Sequence, residues 1–150
     1  MIQRIESDYY TQKLAEVYNS ANELFPENER YPADASVFSE QIKNDANFVC
    51  EKNGDLIGFM SFRKHEDYYI LTSLYVHFEH QRHGIGTELL HHFEKLIPEG
   101  SFVIVKALNA SPWAIQFYSK HGYTSASETQ LHAWRLTQRP WETVLCKYCG

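Results

Sequence analysis

Between Leu74 and Ile97 the chain runs from an apolar segment, Leu74-Tyr75-Val76, through a turn holding Gly84 and Gly86 into an amphipathic helix. Leu89, Leu90, Phe93, Leu96 and Ile97 recur at helical spacing as one apolar stripe, and Pro98-Glu99-Gly100 supplies the stop. A strand that feeds a helix in this way belongs to a sheet with helices on its faces. The turn itself suits an anion. Glycines let the backbone fold closely enough for successive N–H groups to converge, and the helix start adds partial positive charge. Two familiar phosphate-binding folds do not fit. A dinucleotide fingerprint needs Gly or Ala where Leu89 stands and an opening βαβ unit, whereas this turn lies mid-chain. A nucleotide P-loop needs Gly-Lys-Ser/Thr, which the sequence lacks.

The remaining pattern surrounds this unit with short elements. Asp8 to Ala21 sets Tyr10, Leu14, Val17, Tyr18 and Ala21 at helical spacing, with Ser7 or Asp8 as cap. Phe25 to Pro32 reads as an irregular loop because its two prolines disfavour helix. A short helix follows from Asp34, carrying Val37, Phe38, Gln41 and Ile42. Phe48–Glu51 and Leu56–Phe62 flank Asn53-Gly54, the dipeptide of a tight type I′ turn, and predict a hairpin. A third strand covers Tyr68 to Val76, and Phe102 to Ala107 reads as a buried strand. Ser111-Pro112 opens another helix, which Gly122 stops. Two more strands are expected near Leu131–Leu136 and Glu142–Tyr148, and a short first strand at Ile2–Ile5 fits as an addition. The predicted class is α+β, a three-layer arrangement. Its mixed, largely antiparallel central sheet has about six to seven strands and is flanked by about four helices. No repeat, low-complexity tract or linker interrupts the 150 residues, so one domain over 1–150 is expected.

Charge and composition narrow the partners. The net charge of −5 argues against nucleic acid, because phosphate backbones call for a basic surface. Residues 1–73 carry 7 Lys+Arg against 13 Asp+Glu, whereas residues 74–150 carry 7 against 6. That asymmetry suits a cationic ligand on one side and an anionic one on the other, and uneven surface charge explains it equally. No apolar run approaches the roughly 20 residues of a membrane span. The first residues, Met1-Ile2-Gln3-Arg4-Ile5-Glu6, lack an apolar core of the signal-peptide kind, so a cytoplasmic location is expected. Three cysteines are too few for a disulfide scaffold. Cys146-x-x-Cys149 invites a zinc or redox reading, but a structural zinc needs four ligands and no second such pair exists. No metal is expected, and free thiols on a late strand account for the pair.

Gln81-x-x-Gly84-x-Gly86, preceded by Leu74-Tyr75-Val76 and followed by Leu89-Leu90, resembles the acetyl-coenzyme A motif of the Gcn5-related N-acetyltransferase (GNAT) superfamily. A second block supports the resemblance. Asn109-Ala110-Ser111-Pro112-Trp113-Ala114-Ile115-Gln116-Phe117-Tyr118-Ser119-Lys120-His121-Gly122-Tyr123 is similar to that family's Asn/Ser…Ala…Phe-Tyr…Gly-Phe/Tyr segment. Together the blocks span roughly residues 68–123, in the family's order and spacing.

The resemblance implies the acyl-CoA N-acyltransferase fold and an acetyl-CoA-dependent N-acetyltransferase acting on a primary amine. It implies that Arg82, His83, Gly84, Ile85, Gly86 and Thr87 offer backbone N–H groups to the donor's pyrophosphate, behind Gln81. Leu74, Tyr75 and Val76 would pair their backbone with the pantetheine arm like an added strand, and one amide there would polarise the acetyl carbonyl. Tyr118 would protonate the leaving thiolate, a task for which a phenol of pKa ~10 is matched to an alkyl thiol. It equally suits packing beside Phe117, which lies in the same cofactor-binding block. The family often places Asn seven residues before this tyrosine, where the chain has Ser111, while Asn109 stands nine before. Which of Asn109 and Ser111 caps the helix, and which meets the cofactor, stays open on the sequence.

The base is not legible. The strand up to Val76 offers Thr72, Ser73 and two tyrosines, so His77, Glu66 and a water relay remain the alternatives. Glu23, Glu27, Glu29 and Asp34 near Tyr31 lean towards a small cationic acceptor such as a polyamine, an aminoglycoside or a lysine side chain. A protein N-terminus or lysine is the alternative acceptor, and a non-catalytic CoA-binding regulatory domain is the alternative role. Assembly as a homodimer is left open.

Overall fold

The structure, a computed structural model, describes residues 1–25 and 32–150. Its strands are β1 (Ile2–Ile5), β2 (Ala46–Lys52), β3 (Asp55–Lys64), β4 (Tyr69–Val76), β5 (Ser101–Leu108), β6 (Thr124–Ser125) and β7 (Glu142–Cys149). Its helices are α1 (Thr11–Ala21), α2 (Ala35–Asn44), α3 (Ile85–Leu96), α4 (Pro112–Lys120) and α5 (Glu128–Ala133). The seven strands form one mixed sheet in the order β1-β2-β3-β4-β5-β7-β6. β4 and β5 pair in parallel, and the pairs β1–β2, β2–β3, β5–β7 and β6–β7 are antiparallel. This is the α+β class expected, with five helices among the described residues rather than about four. The expected loop's centre, with Glu27, Glu29 and Tyr31, lies outside the described residues.

The chain divides into two compact units, Met1–Arg63 with Ser73–Leu96, and Lys64–Thr72 with Ile97–Gly150. In the first, Asn53 and Gly54 both take left-handed backbone (φ 53° and 83°), the geometry that twists a two-residue hairpin correctly. Ser7 caps a short 3₁₀ turn over Asp8–Tyr10 before α1 begins, and Asp34 caps α2 by accepting from Ser36 N–H. Leu14, Ala15 and Val17 of α1 meet Phe38 and Ile42 of α2 over Ile5, Val49 and Phe59 of the sheet. Two apolar residues break their stripes: Val37 is 53% and Leu96 45% exposed. Both follow from the 100° helical step, which carries neighbours of a core position to the rim.

Gly58 on β3 is a point of close approach. A β-carbon there would stand 3.2 Å from the Tyr75 carbonyl oxygen, 3.2 Å from Leu89 Cδ1 and 3.3 Å from Ile85 Cγ2. The missing side chain therefore seats the first turn of α3 against the sheet. Gly58→Ala is expected to cost about 1–3 kcal/mol through overpacking. Urea unfolding should show a lower midpoint at unchanged slope.

In the second unit, β5 and β7 pair along their whole length, from Ser101 opposite Cys149 to Leu108 opposite Glu142. Tyr68, Ile104, Trp134, Val144 and Cys146 form the core of one face, with Phe102, Leu131 and Leu136 against it. The strand expected at Leu131–Leu136 is absent, because Glu128–Ala133 is helix α5. A capping box decides this. Ser127 Oγ accepts from Gln130 N–H at 3.1 Å while Gln130 Oε1 accepts from Ser127 N–H at 2.9 Å. Leu131 and Trp134 then lie three apart, a helical spacing, and the strand pairing with β7 here is the two-residue β6.

Candidate active site

In the first unit, β4 delivers Leu74, Tyr75 and Val76, all half-buried, to the glycine turn. The Tyr75 ring packs into the core at 4.9 Å from Tyr18 and 5.5 Å from Phe59. Burial pushes its phenol well above the usual value, and the neighbouring Tyr18 adds to that. Tyr75 is thus a packing side chain, and the strand end's remaining asset is its backbone.

Beyond Val76 the chain is tied down repeatedly. His77 N–H donates to the Ile57 carbonyl at 2.7 Å, and Phe78 N–H donates to Ser20 Oγ at 2.9 Å. Gln81 Nε2 donates to the Val76 carbonyl at 3.1 Å, closing the loop back on the strand. Arg82 and Gly84 both take left-handed backbone, at φ 66° and 81°. Together they bracket His83 and swing the chain into α3. Nothing lies within 4 Å of where a Gly84 β-carbon would stand, so conformation alone calls for glycine there. The Gly84 carbonyl accepts Glu88 N–H at 3.0 Å and so starts the helix. The amides of Ile85 and Gly86 precede that first bond and have no acceptor within the helix. Arg82, His83 and Gly84 are exposed, and Ile85, Gly86 and Thr87 half-buried. One strand, one turn and one helix start thus carry ten of the thirteen residues expected to hold the donor, in the geometry of an anion cradle.

The second unit carries the other block. Tyr118 is buried in α4 at 8% exposure, its ring edge-on to Phe117 at 5.2 Å and to Tyr123 at 5.6 Å. Phe117 is half-buried and also meets the His121 ring at 4.8 Å. Ser111 occupies the N-cap position of α4, is buried, and makes no capping bond with its side chain. Pro112 at the first helical turn reduces that need by removing one N–H. Asn109 does not cap α4 either; it clamps the segment leading into β7. Its N–H donates to the Trp141 carbonyl at 2.9 Å, its Nδ2 donates to the Pro140 carbonyl at 3.1 Å, and its Oδ1 accepts from Thr143 Oγ1 at 2.6 Å.

Of the base candidates, Glu66 sits on the exposed bend before β4. His77 follows the last residue of β4, and its Nδ1 accepts from Glu79 N–H at 3.2 Å, capping a short 3₁₀ turn. It lines a cleft of about 270 Å³ with Lys13, Glu16, Asp55 and Glu79. Cys146 and Cys149 lie three apart on one strand and so point to opposite faces. Burial raises the Cys146 thiol, and its Sγ contacts Gln130 Oε1 at 3.7 Å, so this is an inert packing group. Among the described residues no group of three His, Cys, Asp or Glu is placed to hold a metal.

One feature of the sheet had no sequence signature beyond polar residues in apolar strands. Gln41 Nε2 donates to Ser61 Oγ at 2.7 Å, Ser61 Oγ donates to Asn47 Oδ1 at 2.5 Å, and Ser73 Oγ donates to Gln41 Oε1 at 2.9 Å. This network locks α2 to β2, β3 and the residue before Leu74.

A family model described as "Acetyltransferase (GNAT) domain" matches residues 43–125. The uncharacterized N-acetyltransferase YjcF of Bacillus subtilis (strain 168) is 25% identical over 123 residues, covering 79% of this chain and 84% of that protein. Among solved structures, the PaiA N-acetyltransferase of Thermoplasma acidophilum in complex with coenzyme A superposes with a TM-score of 0.75 at 17% identity, covering 99% of each chain. The Salmonella typhimurium protein YncA, solved with its cofactor acetyl-CoA, gives 0.68 at 19% identity, covering 100% of this chain and 94% of its own. The matched span takes in β4, the glycine turn and the Tyr118 helix. The chain belongs to the GNAT family of acetyltransferases, enzymes whose acetyl donor is acetyl-CoA.

Proposed function

We infer that this acetyltransferase moves the acetyl group of acetyl-CoA to a primary amine by direct attack of the amine on the thioester, with residues 1–150 acting as one domain. The observation that carries this reading is the turn after β4, where left-handed Arg82 and Gly84 and the start of α3 gather backbone N–H groups. Arg82 to Thr87 hold the donor's pyrophosphate there, with Gln81 fixing the turn's shape through Val76. The backbone of Leu74–Val76 pairs with the pantetheine arm, and one amide polarises the acetyl carbonyl. Asn109, Ser111 and Phe117 position the opening of α4, from which Tyr118 gives its proton to the leaving thiolate. The amine's proton leaves through a relay of water, with His77 as the side chain best set to take part. A small cationic amine is the favoured acceptor and the cytoplasm the favoured location. No helix among the described residues is long and apolar enough to cross a membrane.

Two measurements test this. Release of free thiol from acetyl-CoA, followed across a panel of amines, separates a working transferase from a binding domain that has lost turnover. Acetyl-CoA at about 100 times its dissociation constant is expected to stabilise the fold by about 2.7 kcal/mol, because the cradle exists only in the folded chain. Calorimetry without a binding isotherm at millimolar acetyl-CoA overturns the assignment.

A further inference from the structure

Ser20 stands in the last turn of α1, a position where alanine is the better helix former. Serine's weakness in a helix is a hydroxyl that seeks backbone partners, and this one has found a partner outside the helix. Ser20 Oγ accepts Phe78 N–H at 2.9 Å, across 58 residues of sequence. Phe78 opens the 3₁₀ turn Phe78–His80, so its amide has no acceptor within that turn. Tyr18, two residues before Ser20, draws α1 to this place by setting its ring 4.9 Å from that of Tyr75.

The segment that receives this bond carries the chain from β4 to the donor cradle. His77 N–H, on the Ile57 carbonyl at 2.7 Å, fastens its first residue to β3, and the Ser20 bond fastens its second to α1. The bonds that follow stay inside the segment. Glu79 N–H donates to His77 Nδ1 at 3.2 Å, His80 N–H to the His77 carbonyl at 2.8 Å, and Gln81 Nε2 to the Val76 carbonyl at 3.1 Å. Internal bonds fix the segment's shape but not its place. Its place is set by Ile57 on one side and Ser20 on the other, all within the first unit. Left-handed Arg82 and Gly84 follow at once, so the position of Gln81 is handed on to the amides behind it. A phosphate is held by several N–H groups together, and a displacement beyond about 0.5 Å spoils their convergence.

We propose that Ser20 is a positioning residue of the donor site, a strut from α1 that holds the approach to the cradle in register with the phosphate. It touches no reacting atom and acts through Phe78. This rests on the assignment of the donor's pyrophosphate to Arg82–Thr87. Asn19 supplies a contrast from the same helical turn. Its Nδ2 donates to the Ala33 carbonyl at 2.8 Å and its Oδ1 accepts Ala33 N–H at 3.0 Å, so it ties α1 to the segment before α2 instead.

The test measures acetyl-CoA affinity by calorimetry on the full chain, at a temperature where every variant is folded. Ser20→Ala is expected to weaken acetyl-CoA about threefold to tenfold, the scale of one hydrogen bond. Ser20→Thr keeps the hydroxyl and is expected to restore affinity to within about twofold of wild type. Asn19→Ala removes two bonds and is expected to lower the urea midpoint more than Ser20→Ala does, yet to leave acetyl-CoA affinity within about twofold of wild type. Wild-type affinity in Ser20→Ala, no recovery in Ser20→Thr, or equal weakening in Asn19→Ala overturns the proposal. In the last case general loosening of α1 accounts for the loss. Gly84→Val strains the cradle's own left-handed backbone and reports on the underlying assignment. Unchanged affinity there overturns the cradle assignment and this proposal with it. Weakened binding in Gly84→Val beside wild-type affinity in Ser20→Ala indicts the Ser20 strut alone.

Discussion

Tyr118→Phe is expected to slow single-turnover acetyl transfer by about 10²–10⁴-fold while leaving acetyl-CoA affinity essentially unchanged. The ring stays in place in this variant, so the edge-on contacts with Phe117 and Tyr123 that seat it in α4 persist. Only the phenolic proton is removed. A thiolate leaving without a matched acid carries the full developing charge, and that loss falls on the chemical step rather than on donor binding. The competing account treats the hydroxyl as a buried hydrogen-bonding group; its removal then costs about 1 kcal/mol of stability and spares the rate. Thermal unfolding and single-turnover transfer on one preparation separate the two. A variant that is less stable but equally fast returns Tyr118 to a packing role. Steady-state rates cannot decide the matter when product release limits turnover, because a large loss in chemistry is then masked.

The parts of the molecule that were legible in the sequence are those whose physics is local. Asn53-Gly54 specifies its hairpin within two residues, and both adopt the left-handed backbone such a turn demands. The glycine turn before α3 and the proline opening α4 announce themselves in the same way. What was hidden depends on partners far along the chain. Asn109 reads as a helix cap because it stands just before Ser111-Pro112, yet its side chain is committed to Pro140 and Thr143, more than 30 residues on. Gln41 stands in the sequence beside Val37, Phe38 and Ile42 of a short helix with nothing to mark its partners, yet it bonds residues of two different strands. Helix α5 is the instructive miss, since its capping box was present as Ser127-Glu128-Thr129-Gln130. The expected strand over Leu131–Leu136 misses that Leu131 and Trp134 are three apart, a helical spacing, and meet one core.

The polar network around Gln41 carries the second large effect. Ser61 is fully buried and Asn47 and Ser73 nearly so, which leaves little water to replace a lost partner. Gln41→Ala strips Ser73 Oγ of its acceptor and Ser61 Oγ of its donor in a single step. Each buried polar group left without its partner costs about 1–3 kcal/mol, so the variant is expected to lose about 3 kcal/mol. For a domain of this size that lowers the melting temperature by about 6–12 °C. Ser73→Ala removes one bond and leaves Gln41 with Ser61, so it is expected to cost about 1 kcal/mol. The double variant is then diagnostic. With Gln41 already gone, the Ser73 hydroxyl has nothing to lose, and its deletion relieves a buried unpaired group; the two effects must fall short of additive by about 1 kcal/mol or more. Additive losses across the cycle, measured by urea unfolding, mean that the two side chains do not share one network. Because Ser73 directly precedes Leu74, the same variants also test whether α2 steadies the backbone to which the pantetheine arm is assigned. If it does, acetyl-CoA affinity falls in Gln41→Ala even at temperatures where the chain remains fully folded.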